Sequence, residues 1–399
     1  MSFRTRQHAT KHLTSHATEN LLSKRFEDAR STHLGYPYNL KLEHHHDPKF
    51  GKFLINNLGD PYSGSHYGIE VCDLERDVIR WFMDLWRCQN HDDYWGAVGA
   101  SGTEGNLWGV YIGREVLSNP ILIHSSAAHY SLPKAARILR LPSISIDCDK
   151  NDAIDTEDLR RKIIEAQPES IILALTCGTT MAAAHDNIVD CCRALDELGY
   201  DTARRYIHVD GALDAMIIPF VPSASPEISP NFELPIDSIS TSGHKMVGVP
   251  MPCGVLVVRR CYIDKITSAI SYLKSNDTTL MGSRNGHATL AIWRQIQRHG
   301  YEGYRSDVDA CLLKAAHMED RLGTARIPVF RNLHAITVVF PEPSVEIVNK
   351  YQLACHNGRA HAITMPNVTT ELIVQFTADY LKWWQTGSEE RDKLMGVMS

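Results

Sequence analysis

Apolar residues between Asp73 and Cys88 recur at helical spacing, with Leu74, Val78, Phe82, Leu85 and Trp86 on one face. That period predicts an amphipathic helix. Next, "YWGAVGASGTEGNLWGVYIGRE" passes through small residues into a helix expected to begin near Thr103. Short β-rich runs follow at Ile121–Ser125, Ser143–Asp147, Ile171–Thr176, Tyr206–Asp210 and Gly254–Val258. Helical patterns lie between several of them, such as "AIDTEDLRRKIIEA" and "VDCCRALDELGY". Strands alternating with helices predict an α/β fold with a mainly parallel sheet covered on both faces.

After about residue 265 the pattern changes. The polar, turn-rich "SYLKSNDTTLMGSRNGH" reads as a loop, and the helical "ATLAIWRQIQRHG" follows it. "AITVVFPEP" and "HAITMP" read as strands of a smaller α+β domain, closed by a helix at "TTELIVQFTADYLKWW". The expected division is an N-terminal arm over 1–55, a large domain over 56–285 and a small domain over 286–399.

With 399 residues, 43% hydrophobic content and a net charge of -6, the chain can bury a sizeable core. Basic residues are neither in excess nor gathered into runs, which argues against nucleic acid as a partner. The ten cysteines include no C-x-x-C, and the adjacent Cys191 and Cys192 suit neither an ordinary disulfide nor a zinc knuckle. They read as reduced thiols of a cytoplasmic protein. The basic start lacks an acidic residue before Glu19 but has no apolar h-region, so it reads as a mature arm. No apolar run approaches the length of a membrane span. Three successive side chains do not converge on one ion, so His44–His46 reads as solvated or interfacial, and no metal is expected.

Three features at expected strand ends carry candidate chemistry, because open α/β sheets bind ligands there. In "GASGTEGN", small residues lead into a helix whose free N–H groups and dipole favour a phosphate. A purely structural glycine turn would look the same. In "YIHVDGA", Asp210 ends a β-rich run, and a buried carboxylate needs a partner such as a protonated ring nitrogen. A helix cap or a salt bridge would serve it equally. Lys245, in "SGHKMVGVPMPCGV", precedes an apolar run, and an amine in a desolvated site can bond covalently to an aldehyde. Phosphate cradle, aspartate and lysine in that order suit pyridoxal phosphate chemistry. His129, in "SSAAHYS", follows an expected strand and offers a ring to stack on a cofactor.

These segments, with "GSRNGH", resemble the group II pyridoxal-phosphate decarboxylases, and among them the bacterial histidine decarboxylases and the plant serine and histidine decarboxylases. The resemblance runs from about Leu34 to the last helix. It implies fold-type I, with a seven-stranded large-domain sheet, and an L-amino acid decarboxylase. Histidine is the first substrate reading and serine the alternative. Transamination or aldol cleavage on the same cofactor, or a non-catalytic dimeric scaffold, are the readings from other classes. By the same resemblance Lys245 would carry the cofactor, Asp210 would pair with its ring nitrogen, and His129 and Ala212 would lie against its two faces. Ser101, Gly102, Thr103, Ser242 and His244 would hold the phosphate. In a homodimer, Gly282, Ser283 and Arg284 would reach the partner's phosphate. Tyr67 would line the substrate pocket, and Tyr272 is a candidate for the loop acid, with His129 or Lys245 as the alternatives. The chain departs from the family pattern at Ala100 and Ser101, and at His185, which stands where an apolar residue is usual.

Overall fold

The computed structural model describes residues 15–42, 49–272 and 275–386. In chain order the elements are α1 (Ser15–Ser31), β1 (Asn56–Leu58), α2 (Cys72–Leu85), β2 (Tyr94–Gly99), α3 (Gly102–Val116), β3 (Pro120–Ser125), α4 (Ser131–Leu139), β4 (Ser143–Ile146), α5 (Thr156–Ala166) and β5 (Ser170–Thr176). There follow α6 (Ile188–Glu197), β6 (Arg205–Asp210), β7 (Ser238–Ser242), β8 (Gly254–Arg259), α7 (Arg260–Ile263), β9 (Ser268–Ile270), β10 (Ser275–Asp277) and β11 (Ser283–Asn285). The last part comprises α8 (Gly286–Thr324), β12 (Thr337–Pro341), α9 (Val345–Tyr351), β13 (Ala354–His356), β14 (Arg359–Ile363) and α10 (Thr370–Thr386).

Seven strands form the large sheet in the order β2-β8-β7-β6-β5-β3-β4. Only β8 runs against the rest, pairing antiparallel with both β2 and β7. Residues of β5 alternate between two cores: Ile171, Leu173 and Leu175 face one, Ile172 and Ala174 the other. Alternation along a strand sends neighbours to opposite faces, so helices must cover both. On one face α2 buries Val78, Ile79, Phe82 and Met83. Each such side chain contributes about 2 kcal/mol through removal from water.

The opposite face is closed by α3, and its sequence shows why it docks so closely. Gly105, Gly109 and Gly113 recur every four residues and form a smooth stripe. A Cβ at Gly105 would lie 2.7 Å from Ser240 Cβ, and one at Gly109 would lie 2.3 Å from His208 Nδ1. The backbone of the helix thus rests directly on the His208 and Ser240 side chains of β6 and β7.

The segment expected as a loop before α8 contains strands. β10 pairs with β9, and β11 pairs antiparallel with β1, Asn56 opposite Asn285. These three-residue strands bear mostly polar side chains, so hydropathy carried no sign of them. α8 breaks at Gly300, with φ 56° and ψ -172°, where the "ATLAIWRQIQRHG" helix was expected to end. A positive φ favours glycine there. Beyond it, β12, β14 and β13 form an antiparallel sheet flanked by α9 and α10. Buried His361 of β14 contacts the carbonyls of Met181 and Gly35, each at 3.0 Å, and ties this sheet to the large domain and the N-terminal segment.

Candidate active site

The carboxyl ends of β5, β6 and β7 meet at one edge of the sheet, with Thr176 opposite Asp210 and Asp210 opposite Ser240. β7 leads straight into a π-type turn over Gly243–Val247, which carries Lys245. Burial lowers the Lys245 pKa below the usual lysine range, and the carboxylates of Asp210 and Asp214 oppose that shift. A desolvated amine between two carboxylates is suited to nucleophilic work rather than to a surface charge.

Ser101 is the N-cap of α3, its Oγ accepting the Glu104 N–H at 3.2 Å. A Cβ at Gly102 would lie 2.4 Å from Ser242 Oγ and 3.5 Å from Ala212 Cβ. The structure therefore brings Ser101, Gly102, Thr103, Ala212 and Ser242 around one small-residue cradle at a helix N-terminus, a place that favours an anion. His244 flanks the lysine, and its Nδ1 lies 3.1 Å from the Cys253 carbonyl oxygen and 3.3 Å from the Cys253 nitrogen. Burial holds the His244 pKa below the ordinary histidine value.

Asp210 is 3% exposed. Its Oδ1 accepts the Ala212 N–H at 3.1 Å and its Oδ2 accepts Asn106 Nδ2 at 2.6 Å. His208, two residues earlier on β6, contacts Asn106 Oδ1 at 3.1 Å and Ser238 Oγ at 2.8 Å. Complete burial pushes its pKa down to about 4. His129 lies after β3, with Nδ1 2.8 Å from Ser131 Oγ. Burial lowers its pKa as well, opposed by the Asp210 charge. Asn106, Ser131 and His208 were not among the site residues expected from sequence. Asn106 stood inside "GTEGN", next to the glycine stripe, and that adjacency was the available signal. Thr176 was also missed, and its buried Oγ1 has no partner beside Asp210.

Other expected residues are not gathered here. Tyr67, Gly282 and Ser283 group around the β1–β11 pair, where Tyr67 donates its hydroxyl to the Leu54 carbonyl at 2.7 Å. Arg284 corrects its expected role toward a partner. Its guanidinium turns into its own chain, pairing with Glu75 and donating to the Gly59 carbonyl at 2.9 Å, because buried Glu75 requires a cation. Tyr272 is 82% exposed in the turn after β9 and makes no part of the cluster. His44–His46 lies outside the described residues. Among the described residues, no group of three or more His, Cys, Asp or Glu is arranged to hold a metal.

A ring cluster that the sequence did not reveal reaches His244, the residue before the lysine. Tyr36 and Tyr38 are stacked at 5.9 Å with planes 7° apart, His33 lies 6.0 Å from Tyr36, and Tyr38 lies 5.8 Å from His244. The unusual His185 also has its explanation: its Nε2 contacts Asp214 Oδ2 at 2.8 Å, both side chains being buried, while Asp214 Oδ1 has no partner. Removing one member of a buried pair costs far more than removing both. His185→Phe is therefore expected to destabilise the protein by about 3–5 kcal/mol in urea unfolding, with His185→Phe/Asp214→Ala recovering most of the loss. Equal stabilities of wild type and His185→Phe would contradict the pairing.

The Pyridoxal-dependent decarboxylase conserved domain matches residues 111–340. The chain belongs to the pyridoxal-dependent decarboxylases. Serine decarboxylase 1 of Oryza sativa subsp. japonica is 42% identical over 361 residues, covering 89% of this chain and 74% of that protein. A histidine decarboxylase of Vibrio campbellii is 39% identical over 337 residues, covering 84% and 86%. The solved L-methionine decarboxylase of Streptomyces sp. 590 superposes with a TM-score of 0.84 at 23% identity, over 93% of this chain and 95% of that one, and shares the fold. This decarboxylase has the fold-type I architecture expected from sequence. It is a pyridoxal-phosphate-dependent amino acid decarboxylase. Its residues fit that cofactor: a desolvated amine for the aldehyde, a carboxylate for the ring nitrogen, and a cradle that a Cβ at Gly102 would fill.

Proposed function

We propose that this decarboxylase converts L-histidine to histamine and carbon dioxide. The observation that carries this reading is the cluster of near-parallel rings of His33, Tyr36 and Tyr38, with Tyr38 tilted at 45° against His244, the neighbour of Lys245. Flat aromatic faces receive a planar imidazole by stacking, and its cationic form by attraction to the ring. The small hydroxymethyl side chain of serine, with two heavy atoms, would leave those faces unused. The histidine decarboxylases of Vibrio campbellii and Solanum lycopersicum, the latter at 37% identity, support the same reading. The 42% identity to serine decarboxylase 1 favours L-serine to ethanolamine as the second reading.

In this assignment Lys245 would hold the cofactor covalently and Asp210 would pair with its ring nitrogen. His129 and Ala212 would lie against the ring, and Ser101, Gly102, Thr103, Ser242 and His244 would bind the phosphate. When bound, pyridoxal phosphate supplies the sink for the electrons of the breaking bond between Cα and the carboxylate. Burial of Lys245 favours its neutral, nucleophilic form, and the surrounding carboxylates keep it available as an acid once protonated.

We further infer a cytoplasmic homodimer with shared active sites, divided into an arm over 1–55, a cofactor-binding domain over 56–285 and a small domain over 286–399. Supporting the dimer, α1 exposes Leu21 and Phe26 at 58% and 59%, and Gly282 and Ser283 lie exposed on the outer edge of the β1–β11 pair. Supporting the compartment, all ten cysteines are free thiols. No described helix is long and apolar enough to cross a membrane.

The test supplies the purified protein and pyridoxal phosphate with L-histidine or L-serine and measures carbon dioxide and the amine formed. Histamine as the main product is expected; ethanolamine formed at the higher kcat/KM would replace the first reading by the second. Tyr38→Ala is expected to raise KM for histidine roughly fivefold to tenfold, the worth of one aromatic pair. An unchanged KM would remove the ring stack from the substrate site.

A further inference from the structure

Asn106 has every hydrogen-bonding position of its side chain occupied. Nδ2 donates to Asp210 Oδ2 at 2.6 Å and to Ser131 Oγ at 2.8 Å. Oδ1 lies 2.9 Å from Ser240 Oγ and 3.1 Å from His208 Nε2. An amide with two N–H donors and two acceptor lone pairs can do no more. The residue is 1% exposed, and Ser240 and His208 are fully buried.

The directions of these bonds follow from one group. The carboxylate of Asp210 accepts, so the Asn106 amide must turn Nδ2 toward it. Ser131 Oγ then also faces an N–H and accepts from it, which leaves the serine proton for His129 Nδ1, 2.8 Å away. The Ser131 backbone N–H points at the same Nδ1 from 3.3 Å. With two donors directed at Nδ1, the neutral imidazole carries its proton on Nε2. On the other side Oδ1 requires His208 to donate from Nε2, so His208 Nδ1 accepts from Ser238 Oγ at 2.8 Å. One amide thus transmits the orientation of Asp210 to two histidines 81 and 2 positions away in the chain, including the ring that borders the cofactor.

We propose that Asn106 is a positioning residue that couples Asp210 to His129 through Ser131, locking His129 as the Nε2–H tautomer and presenting a hydrogen-bond donor on its far edge. The proposal rests on the placement of Asp210 and His129 in the active site given above. Neither residue needs to move for the coupling to operate, since every bond in the chain is formed in the protein alone. Ser131→Ala cuts only the arm to His129, Ser131→Thr keeps it, and Asn106→Leu cuts both arms.

The tautomer is read by ¹⁵N NMR of histidine-labelled protein without cofactor, and kcat and KM are measured with the cofactor present. Expected for the wild type and Ser131→Thr is an unprotonated Nδ1 and a protonated Nε2 on His129. Ser131→Ala is expected to give a mixture of tautomers and a kcat lower by about a hundredfold with little change in KM, the scale of a misplaced reacting group. Asn106→Leu should show the same mixture, with a further fall in kcat. A protonated Nδ1 in the wild type, or a Ser131→Ala protein unchanged in both tautomer and kcat, would overturn the coupling. Because the tautomer is read in cofactor-free protein, its result is independent of whether the wild type releases carbon dioxide. Absence of that release would strike the functional reading and not the hydrogen-bond chain.

Discussion

Lys245→Ala is expected to lower carbon dioxide release on the order of 10⁴-fold or more, the scale seen when a covalent catalytic group is removed. The amine sits in a π-type turn directly after β7, and desolvation lowers its pKa, while only Asp210 and Asp214 favour the charged form. A lysine held this way has given up hydration that a surface lysine keeps, and no structural contact explains the sacrifice. Alanine removes the one group able to bond the cofactor aldehyde at this position. The fold should survive, since truncating a half-buried lysine relieves desolvation. A Lys245→Ala protein that folds and decarboxylates at the wild-type rate would refute the assignment, with circular dichroism establishing that the fold is retained.

Asp210→Asn is expected to reduce kcat roughly 10³-fold, the upper scale for deleting one electrostatic partner of a developing charge. The carboxylate is buried at the end of β6, held by the Ala212 N–H and by Asn106, so it is fixed in place before any ligand arrives. Such preorganisation acts mainly on the transition state, and kcat should therefore fall more than KM rises. The amide is nearly isosteric but brings an N–H to face the Asn106 N–H, so Asn106 should be displaced as well. Steady-state kinetics with circular dichroism checks this. A loss confined to KM would mean that Asp210 serves cofactor or substrate binding alone.

Five of the seven sheet strands were legible: β3, β5, β6 and β8 as runs rich in β-branched or aliphatic residues and buried on both faces, and the largely exposed edge strand β4 by its alternating Ser-Ile-Ser-Ile pattern. β2 and β7 were not. β2 reads Tyr-Trp-Gly-Ala-Val-Gly, and its two glycines look like turn signals. β7 reads Ser-Ile-Ser-Thr-Ser, with one apolar residue in five. Its hydroxyls are buried because they serve the site: Ser240 bonds Asn106, and Ser242 stands over Gly102. Functional demands on β7 thus erased the hydropathy that would have announced it.

Lys245, Asp210 and His129 were singled out because chemistry demands a rare residue near a strand end, and the structure brings both Lys245 and His129 within reach of the Asp210 charge. The groups that orient those residues were not readable. Asn106, Ser131, His208 and Ser238 are brought together by strand order and by the glycine stripe of α3, across separations that no local pattern encodes. His185 could be seen as an oddity from sequence, but its partner Asp214 could not, because the two meet only once the β5–α6 and post-β6 turns are side by side. Arg284 was misassigned for the complementary reason: the buried Glu75 that claims it lies on α2, 209 residues earlier.

The most direct measurement is to load the purified protein with pyridoxal phosphate, reduce it with borohydride, digest it and locate the modified lysine by mass spectrometry. A yellow protein that bleaches on reduction is expected, with the reduced cofactor on the peptide containing Lys245 and none on the Lys245→Ala protein. Cofactor fixed on a different lysine, or equal labelling of the two proteins, would contradict that expectation.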